Sequence, residues 1–446
     1  MTKMKSPHGM AACLYVAVIV SLVFCPAVMA EKEKPAYELQ TVTDKPDAIY
    51  GVGEKVLFKT RLLHEGKPLA GESVNWTVRG DGGYEKKGTV TTAEEPVAFE
   101  AALERPGMLF CTLSWTSGDK KETARGVAGA AIAPEKIKAA REEPKDFDAF
   151  WKKQLADSEK LPMNVKLVPF QPEKFKEQGV EVYDIKIDCL GGAPVSGYLV
   201  KPIGAKTKSL PIVVSYHGAG VRGAGVPVGD AKHGALALDI NAHGIENGHP
   251  PKFYEDLLTG TLKNYRFDGE DDREKCYFKG MYLRAARALQ FMKTLPEWDG
   301  VNIGVKGGSQ GGGQALVAAG LDPQVTVCLA YVPALCYHTG YVDNEFGGWP
   351  GFLRPAPNKT IREEVVATVP YFDAAIFAKR IKASCFLSTG FVDYVCSPTS
   401  VYVAYNNIKT TKTIVTTPNA DHNIPGSTSA EGNRWFWEQI DKNRIP

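Results

Sequence analysis

The run Val301-Asn302-Ile303-Gly304-Val305-Lys306-Gly307-Gly308-Ser309-Gln310-Gly311-Gly312-Gly313-Gln314-Ala315-Leu316 restricts the fold more than any other part of the chain. An apolar, β-branched stretch leads into Gly307, and a small-residue, helix-compatible stretch leads out of Gly311. Ser309 stands at the apex, inside the pattern G-x-S-x-G. A strand-to-helix turn this tight forces the serine into a strained backbone conformation, and a Cβ at Gly307 or Gly311 would strike the neighbouring strand or helix. The turn holds a hydroxyl clear of the backbone at a helix N-terminus, where the dipole favours negative charge. Such an elbow belongs to a parallel sheet, so strands and helices should alternate around it.

They do. Residues 182–187 and 195–200 read as two strands around the turn Gly191-Gly192, and residues 212–214, 235–240, 303–306, 325–330, 385–388 and 413–416 continue the series. Helices are expected at residues 277–294, 310–320, 374–381, 399–408 and 430–440. Uninterrupted apolar strands between helices imply an α/β domain with a mostly parallel sheet covered on both faces. The longest stretches without periodicity, residues 241–276 and 337–368, should be loops over the carboxyl ends of the strands, where functional loops concentrate.

Residues 31–133 have a different rhythm. Val56, Phe58, Thr60 and Leu62 alternate with more polar neighbours, as do Val74, Trp76 and Val78, and Leu109, Cys111, Leu113 and Trp115. Turn residues punctuate them at roughly ten-residue spacing, which indicates a smaller N-terminal all-β antiparallel sandwich of immunoglobulin-like type. His64 reads as a solvated turn residue, and Trp76 and Trp115 as core. A charged connector, residues 134–144, precedes a helix that begins near Phe147 with Asp146 as its N-cap. The catalytic region is then residues 134–446.

The first thirty residues read as a signal peptide: Lys3 and Lys5, an apolar run over residues 10–24, and small residues at Val28-Met29-Ala30 before Glu31. The run is too short for a comfortable membrane span, and no later stretch is long and apolar enough to span a bilayer. Phe24 is too bulky to precede a lipid-bearing Cys25. A secreted or periplasmic protein follows. A formal net charge of +2 argues against a nucleic-acid partner held by a basic surface. Of nine cysteines, seven remain after Cys13 and Cys25 leave with the signal, and an odd, scattered set is no disulfide framework. No C-x-x-C pair suggests zinc, and no metal or organic cofactor is indicated. One or two bridges fit an oxidising compartment, with Cys276, Cys336 and Cys396 the foremost candidates.

A serine hydroxyl needs a histidine to take its proton and a carboxylate to hold that histidine in the right tautomer. Asp393, after the strand ending near Ser388, fits the acid, and His422, after the last strand, fits the base. Asp373 looks like a helix N-cap, Asp343 lies in a loop, and Asp421 adjoins the histidine and should point away. His217, His233, His243, His249 and His338 are less well placed. The tetrahedral oxyanion needs backbone N–H groups: one from Gln310, and one from Tyr216-His217-Gly218-Ala219-Gly220, with Ala219 the candidate.

At this point the second domain resembles the acetyl xylan esterase and cephalosporin C deacetylase family of α/β-hydrolases, over residues 146–440. The resemblance rests on Gly307-Gly308-Ser309-Gln310-Gly311-Gly312-Gly313, with support from Asp146-Phe147-Asp148-Ala149-Phe150-Trp151, Tyr371-Phe372-Asp373, Ser397-Pro398-Thr399-Ser400-Val401 and Ala404-Tyr405-Asn406. It implies the α/β-hydrolase fold, the triad Ser309, Asp393 and His422, an oxyanion hole of Ala219 and Gln310, and an acetylated carbohydrate substrate. The chain departs from the family in Ala219, where a tyrosine is common, and in Asn241-Ala242-His243-Gly244, where an Asp-x-Arg-Gly run is typical. Family members are usually single-domain and intracellular, often hexameric rings; an export signal and an added sandwich differ on both counts and leave a homo-oligomer open. Two other readings stay open here: a serine peptidase of prolyl-oligopeptidase type, whose usual propeller the N-terminal region is too short to supply, and a non-catalytic carbohydrate-binding protein on a hydrolase fold.

Overall fold

Alternation of period two builds two facing sheets at the start of the chain. The computed structural model describes residues 35–357 and 360–442; the expected signal segment, residues 1–30, falls outside the described residues. One sheet joins Tyr37–Thr43, Val56–His64, Lys67–Pro68 and Val97–Ala101; the other runs Ile49–Tyr50, Thr123–Ile132, Gly107–Thr116, Ser73–Gly80, Tyr84–Thr91. Phe58, Leu62 and Phe99 from the first sheet share one core with Val74, Trp76, Leu109, Leu113 and Trp115 from the second. Trp76 stacks on Phe99 at 4.4 Å, and Trp115 is buried with its N–H donated to Glu72 at 2.8 Å. Both tryptophans are therefore core residues. One pairing departs from the antiparallel expectation: Ile49–Tyr50 runs parallel to Thr123–Ile132. His64 is not in a turn but ends a strand, stacked on Tyr37 at 4.3 Å.

The second half forms a nine-stranded sheet in the order Lys166–Pro169, Val180–Ile187, Val195–Pro202, Leu236–Ile240, Leu210–Tyr216, Trp298–Gly308, Val327–Tyr331, Ser384–Gly390, Lys412–Thr417. The first three pairings are antiparallel and the remaining five parallel. The inner parallel strands bury both faces, which is why they read as apolar runs; the edge strand Lys412–Thr417 does not. Ile212, Val214, Leu238 and Leu387 face one core, and Val213, Leu329 and Phe386 face another with Phe436 and Ile440 of the C-terminal helix Gly426–Lys442. The helices Tyr277–Met292, Gln310–Leu321 and Pro398–Asn407 lie within two residues of the expected ends, whereas residues 374–381 divide into a short α-helix and a 3-10 turn.

The two long loops are less featureless than expected. The first contains the helix Pro251–Thr259 and the second the helix Glu363–Thr368. The former carries Phe253, Tyr254, Leu257 and Leu258 at helical spacing yet fully buries none of them, so it lies at the surface. Asp146 stands at the N-cap position of the helix Phe147–Lys160, yet its side chain does not cap: it is held by Tyr371 and by Arg273, at 2.7 Å from the latter. The seven cysteines among the described residues are all buried and unpaired, Cys276, Cys336 and Cys396 included, which overturns the expectation of bridges among these three. Their loops fold inward, and each thiol fills core space as a small hydrophobe.

The β layer and the nine-stranded sheet share one apolar interior. Met108 and Ala131 from the layer and Ile137 from the connector belong to the same core as the parallel strands. At Gly129 the two backbones meet: a Cβ there would lie 2.3 Å from the carbonyl oxygen of Phe391, so only glycine fits. Asp81 joins the halves. Its carboxylate accepts the N–H of Met108 at 2.8 Å within the layer, and across the joint the N–H of Phe346 at 2.8 Å and the Thr399 hydroxyl at 2.7 Å. Burial pushes this carboxyl up to about 6 against the pull of its three donors. Arg105 pairs with the buried Glu345 nearby.

Candidate active site

Ser309 sits where the strand Trp298–Gly308 gives way to the helix Gln310–Leu321, at φ 56° and ψ −125°. A non-glycine residue with positive φ marks strain, and the surroundings enforce it here. A Cβ on Gly307 would lie 2.4 Å from the Gly311 carbonyl, and one on Gly311 would lie 2.1 Å from the Tyr216 carbonyl oxygen. Helix and strands thus close in from both sides, and the serine alone projects. Its N–H donates to Tyr331 at 2.9 Å, and its carbonyl accepts from Ala334 at 2.9 Å.

The strands Trp298–Gly308, Val327–Tyr331, Ser384–Gly390 and Lys412–Thr417 are consecutive parallel neighbours, so the loops at their carboxyl ends converge. Asp393 follows the third of these and His422 the fourth. The ring Nε2 of His422 lies 2.9 Å from Ser309 Oγ, and Nδ1 lies 2.8 Å from Asp393 Oδ2. The Asp393 side chain is fully buried, and its Oδ1 accepts the N–H groups of Val395 at 2.7 Å and Cys396 at 2.9 Å. A carboxylate can only accept, so Nδ1 carries the ring proton, and Nε2 is left with a lone pair aimed at the serine hydroxyl. The structure brings Ser309, His422 and Asp393 together in one hydrogen-bonded chain.

The remaining candidates fall elsewhere. Asp373 caps its helix through Ala375 N–H at 2.9 Å and also accepts from Tyr337 and His338. Asp343 pairs with Arg141, and Asp421 accepts from Asn423 N–H at 2.8 Å. His338 is buried against Phe372, His233 stacks on Trp437 and His249 on Phe253. His217, half-buried, and His243, buried, lie with their rings 6.2 Å apart. Burial, with Arg222 adding to it, holds His217 down to about 3, and burial holds His243 near 4, so both rings stay neutral.

These two rings shape the loop proposed for the second oxyanion donor. Nδ1 of His217 donates to Gly218 O at 2.7 Å, and Nε2 accepts Ala242 N–H at 3.0 Å; His243 Nε2 donates to Gly220 O at 3.0 Å. A Cβ on Gly218 would lie 3.6 Å from Ser309 Cβ, so the loop runs alongside the serine, with Ala219 exposed next to it. Gln310 is fully buried at the first helical position, where the amide N–H has no intrahelical acceptor. Tyr265 connects the two sides. Its hydroxyl donates to Gln310 Oε1 at 2.6 Å and faces the Gly220 backbone. The sequence reading missed Tyr265, because an aromatic in a long loop carries no pattern; its only signal was a place in a stretch expected over the carboxyl edge.

Donor atoms of Asp393, Cys396 and His422 lie within 4.8 Å of one another. Burial pushes the Cys396 thiol well up, and the Asp393 oxygens and His422 nitrogens are engaged in the hydrogen-bonded chain, so this set suits proton transfer better than cation binding. Among the described residues no helix is long and apolar enough to cross a membrane.

The acetyl xylan esterase (AXE1) family profile matches residues 134–439. An acetyl esterase, Axe7A, from Xylanibacter ruminicola is 32% identical over 407 residues, covering 90% of each chain. Among solved structures, an acetyl xylan esterase from Paenibacillus sp. R4 superposes with a TM-score of 0.58 at 30% identity, over 68% of this chain and 98% of that one. Acetyl xylan esterase 1 from Thermoanaerobacterium sp. JW/SL YS485 gives a TM-score of 0.57 at 23% identity, over 69% of this chain and 97% of that one, a likeness of fold.

Proposed function

We propose, from the premise that this chain belongs to the acetyl xylan esterase family, that it removes acetyl groups from xylan or xylo-oligosaccharides through an acyl-enzyme on Ser309. As a member it is a carboxylic-ester hydrolase acting on acetylated carbohydrate. The observation that carries the mechanism is the unbroken chain from Ser309 Oγ through His422 to the buried Asp393.

In this reading Ser309 Oγ attacks the acetyl carbonyl carbon while His422 Nε2 takes its proton. The oxyanion is held by the N–H groups of Gln310 and Ala219; each such donor supplies roughly 3 kcal/mol of transition-state stabilisation. The imidazolium, steadied by Asp393, then protonates the departing sugar oxygen as the carbon–oxygen bond breaks. Water, deprotonated by the same histidine, attacks the acetyl-serine, and acetate leaves as the proton returns to Oγ. No metal or organic cofactor enters this scheme. We read residues 31–133 as an immunoglobulin-like sandwich and residues 134–446 as the α/β-hydrolase domain. We read residues 1–30 as an export signal, which makes the protein secreted or periplasmic; N-terminal sequencing of exported protein should begin at Glu31.

The test is Ser309→Ala. It should abolish release of p-nitrophenol from its acetate ester and of acetate from acetylated xylan, with unchanged thermal unfolding. A fluorophosphonate probe should label the native chain at Ser309 and leave the variant unlabelled. Retained hydrolysis in the variant, or a native chain inert to the probe, sinks the proposal.

A further inference from the structure

A cavity of about 230 Å³ opens between the N-terminal β layer and the hydrolase sheet, and one of its walls is Asp393. Arg79 and Phe110 come from the β layer, and Tyr341, Arg354 and Tyr394 from the hydrolase half. The volume corresponds to about eight waters at roughly 30 Å³ each, which is room for one pyranose ring rather than a length of polymer. Tyr394, the residue after Asp393, is 54% exposed, and its ring lies 4.2 Å from that of Phe110. An exposed ring beside a cleft offers a face on which the C–H side of a sugar can lie.

The charge of the site is as informative as its shape. Arg354 is held by neutral groups: its Nε donates to the Tyr341 hydroxyl at 2.9 Å, and an amino group to Tyr394 O at 3.4 Å. It has no carboxylate partner among the described residues. Arg79, across the opening, is paired with Glu85 on the next strand at 3.1 Å, with its side chain still 69% exposed. Asp393 is the one acidic residue in the wall, and its oxygens are engaged by His422 and two backbone N–H groups. The opening therefore presents an uncompensated guanidinium beside an aromatic platform, a pairing suited to a planar carboxylate on a sugar ring.

We propose that this cleft is a subsite for a uronic acid branch of the acetylated xylan chain, built jointly by the β layer and the hydrolase. The inference rests on the carbohydrate esterase reading above. Arg354 takes the carboxylate, the exposed ring of Tyr394, backed by the buried Phe110, forms the platform, and the acetyl group beside the branch is presented to Ser309. The N-terminal layer then has a task in substrate selection: it supplies one side of the cleft, fixed in place by Asp81 and by the contact of Gly129 with Phe391.

The test measures binding apart from turnover. Full-length protein carrying Ser309→Ala is titrated calorimetrically with unacetylated xylo-oligosaccharide, either unbranched or carrying one glucuronic acid. The branched ligand should bind about tenfold tighter, and the difference should shrink in high salt, because exposed charges are screened within about 10 Å at 0.1 M. Adding Arg354→Gln should bring the branched ligand down to the unbranched level and leave the unbranched ligand unchanged, while adding Tyr394→Ala should weaken both. If Arg354→Gln disturbs folding, the branched oligosaccharide as an inhibitor of p-nitrophenyl acetate hydrolysis by the unmodified enzyme gives the same comparison. Equal affinity for the two ligands, or a preference that survives Arg354→Gln, overturns the proposal. A chain that binds the branched sugar but hydrolyses no ester refutes the catalytic reading alone, and a chain that hydrolyses esters without the preference refutes the subsite alone.

Discussion

Asp393→Asn is the sharpest perturbation of the site, because the hydrogen bonds around Asp393 dictate how the asparagine must sit. Val395 and Cys396 present backbone N–H groups to Oδ1, at 2.7 and 2.9 Å. Only the amide oxygen of an asparagine can accept them, so the NH2 group is forced into the place of Oδ2, 2.8 Å from His422 Nδ1. A donor there requires Nδ1 to be unprotonated, and the ring proton shifts to Nε2. That nitrogen then donates to Ser309 Oγ instead of accepting from it, and the base is lost with almost no change in shape. In serine hydrolases with the same constellation this exchange lowers kcat about 10⁴-fold, which is roughly 5 kcal/mol of activation free energy. The fold should lose little, about 1–3 kcal/mol, since all three hydrogen bonds persist as neutral ones and a buried charge is removed with them. The assay is kcat for p-nitrophenyl acetate at neutral pH, with thermal unfolding of the same samples. A variant within tenfold of the unmodified enzyme, equally folded, would refute the assignment of Asp393 as the residue that sets the tautomer.

Other perturbations probe the joint, the oxyanion loop and the thiols. Asp81→Ala leaves three buried donors without an acceptor and should destabilise the chain by about 3–5 kcal/mol in denaturant unfolding; an unchanged midpoint would show that the carboxylate does not hold the joint. Because burial raises this carboxyl from 3.8 to about 6, the folded state holds its proton longer than the unfolded state. The associated stability is fully present below pH 3.8 and lost as pH rises through 6, by about 3 kcal/mol in all. Asp81→Asn should flatten that fall, which unfolding at pH 4.5 and pH 7 would read. Tyr265→Phe cuts the link between the Gln310 side chain and the Gly220 loop and should lower kcat roughly tenfold through misplaced oxyanion donors; a change confined to KM would contradict the assignment. A thiol reagent should find none of Cys111, Cys189, Cys276, Cys328, Cys336, Cys385 and Cys396 accessible in native protein and all seven after unfolding without reductant; a smaller number would reveal a bridge.

The parts of this structure that the sequence announces are those governed by local rules. The elbow at Ser309 is legible because Gly307 and Gly311 are positions where any side chain collides with backbone. The parallel strands are legible because burial on both faces gives each inner one an apolar run, such as Ile212-Val213-Val214, and pushes most polar residues to its end. Asp393 and His422 can be assigned because chain order and sheet order agree in this half of the molecule. What escaped notice depends on contacts between distant segments. Asp146 looks like a cap and is instead engaged by Arg273 and Tyr371, more than a hundred positions along. Tyr265 sits in a loop with no apolar period, the helix Pro251–Thr259 places Phe253, Tyr254, Leu257 and Leu258 at helical spacing over only nine residues between Pro250 and Gly260, and Cys276, Cys336 and Cys396 lie in loops that fold inward. Asp81 is the extreme case: inside the β layer it looks like an ordinary turn aspartate, and nothing nearby hints that it bonds to Phe346 and Thr399.

That separation has a consequence for how the molecule comes into being. The ribosome delivers Asp81 265 positions before Phe346 and 318 before Thr399. At about 5–20 residues per second, the wait is on the order of 10–60 s. For that interval the newborn N-terminal segment has its own interior but no platform beneath it, and a carboxylate destined for a dry seam must stay hydrated. The seam can close only near the end of synthesis, so the cell must shield an unfinished apolar face until the last strands of the large sheet arrive.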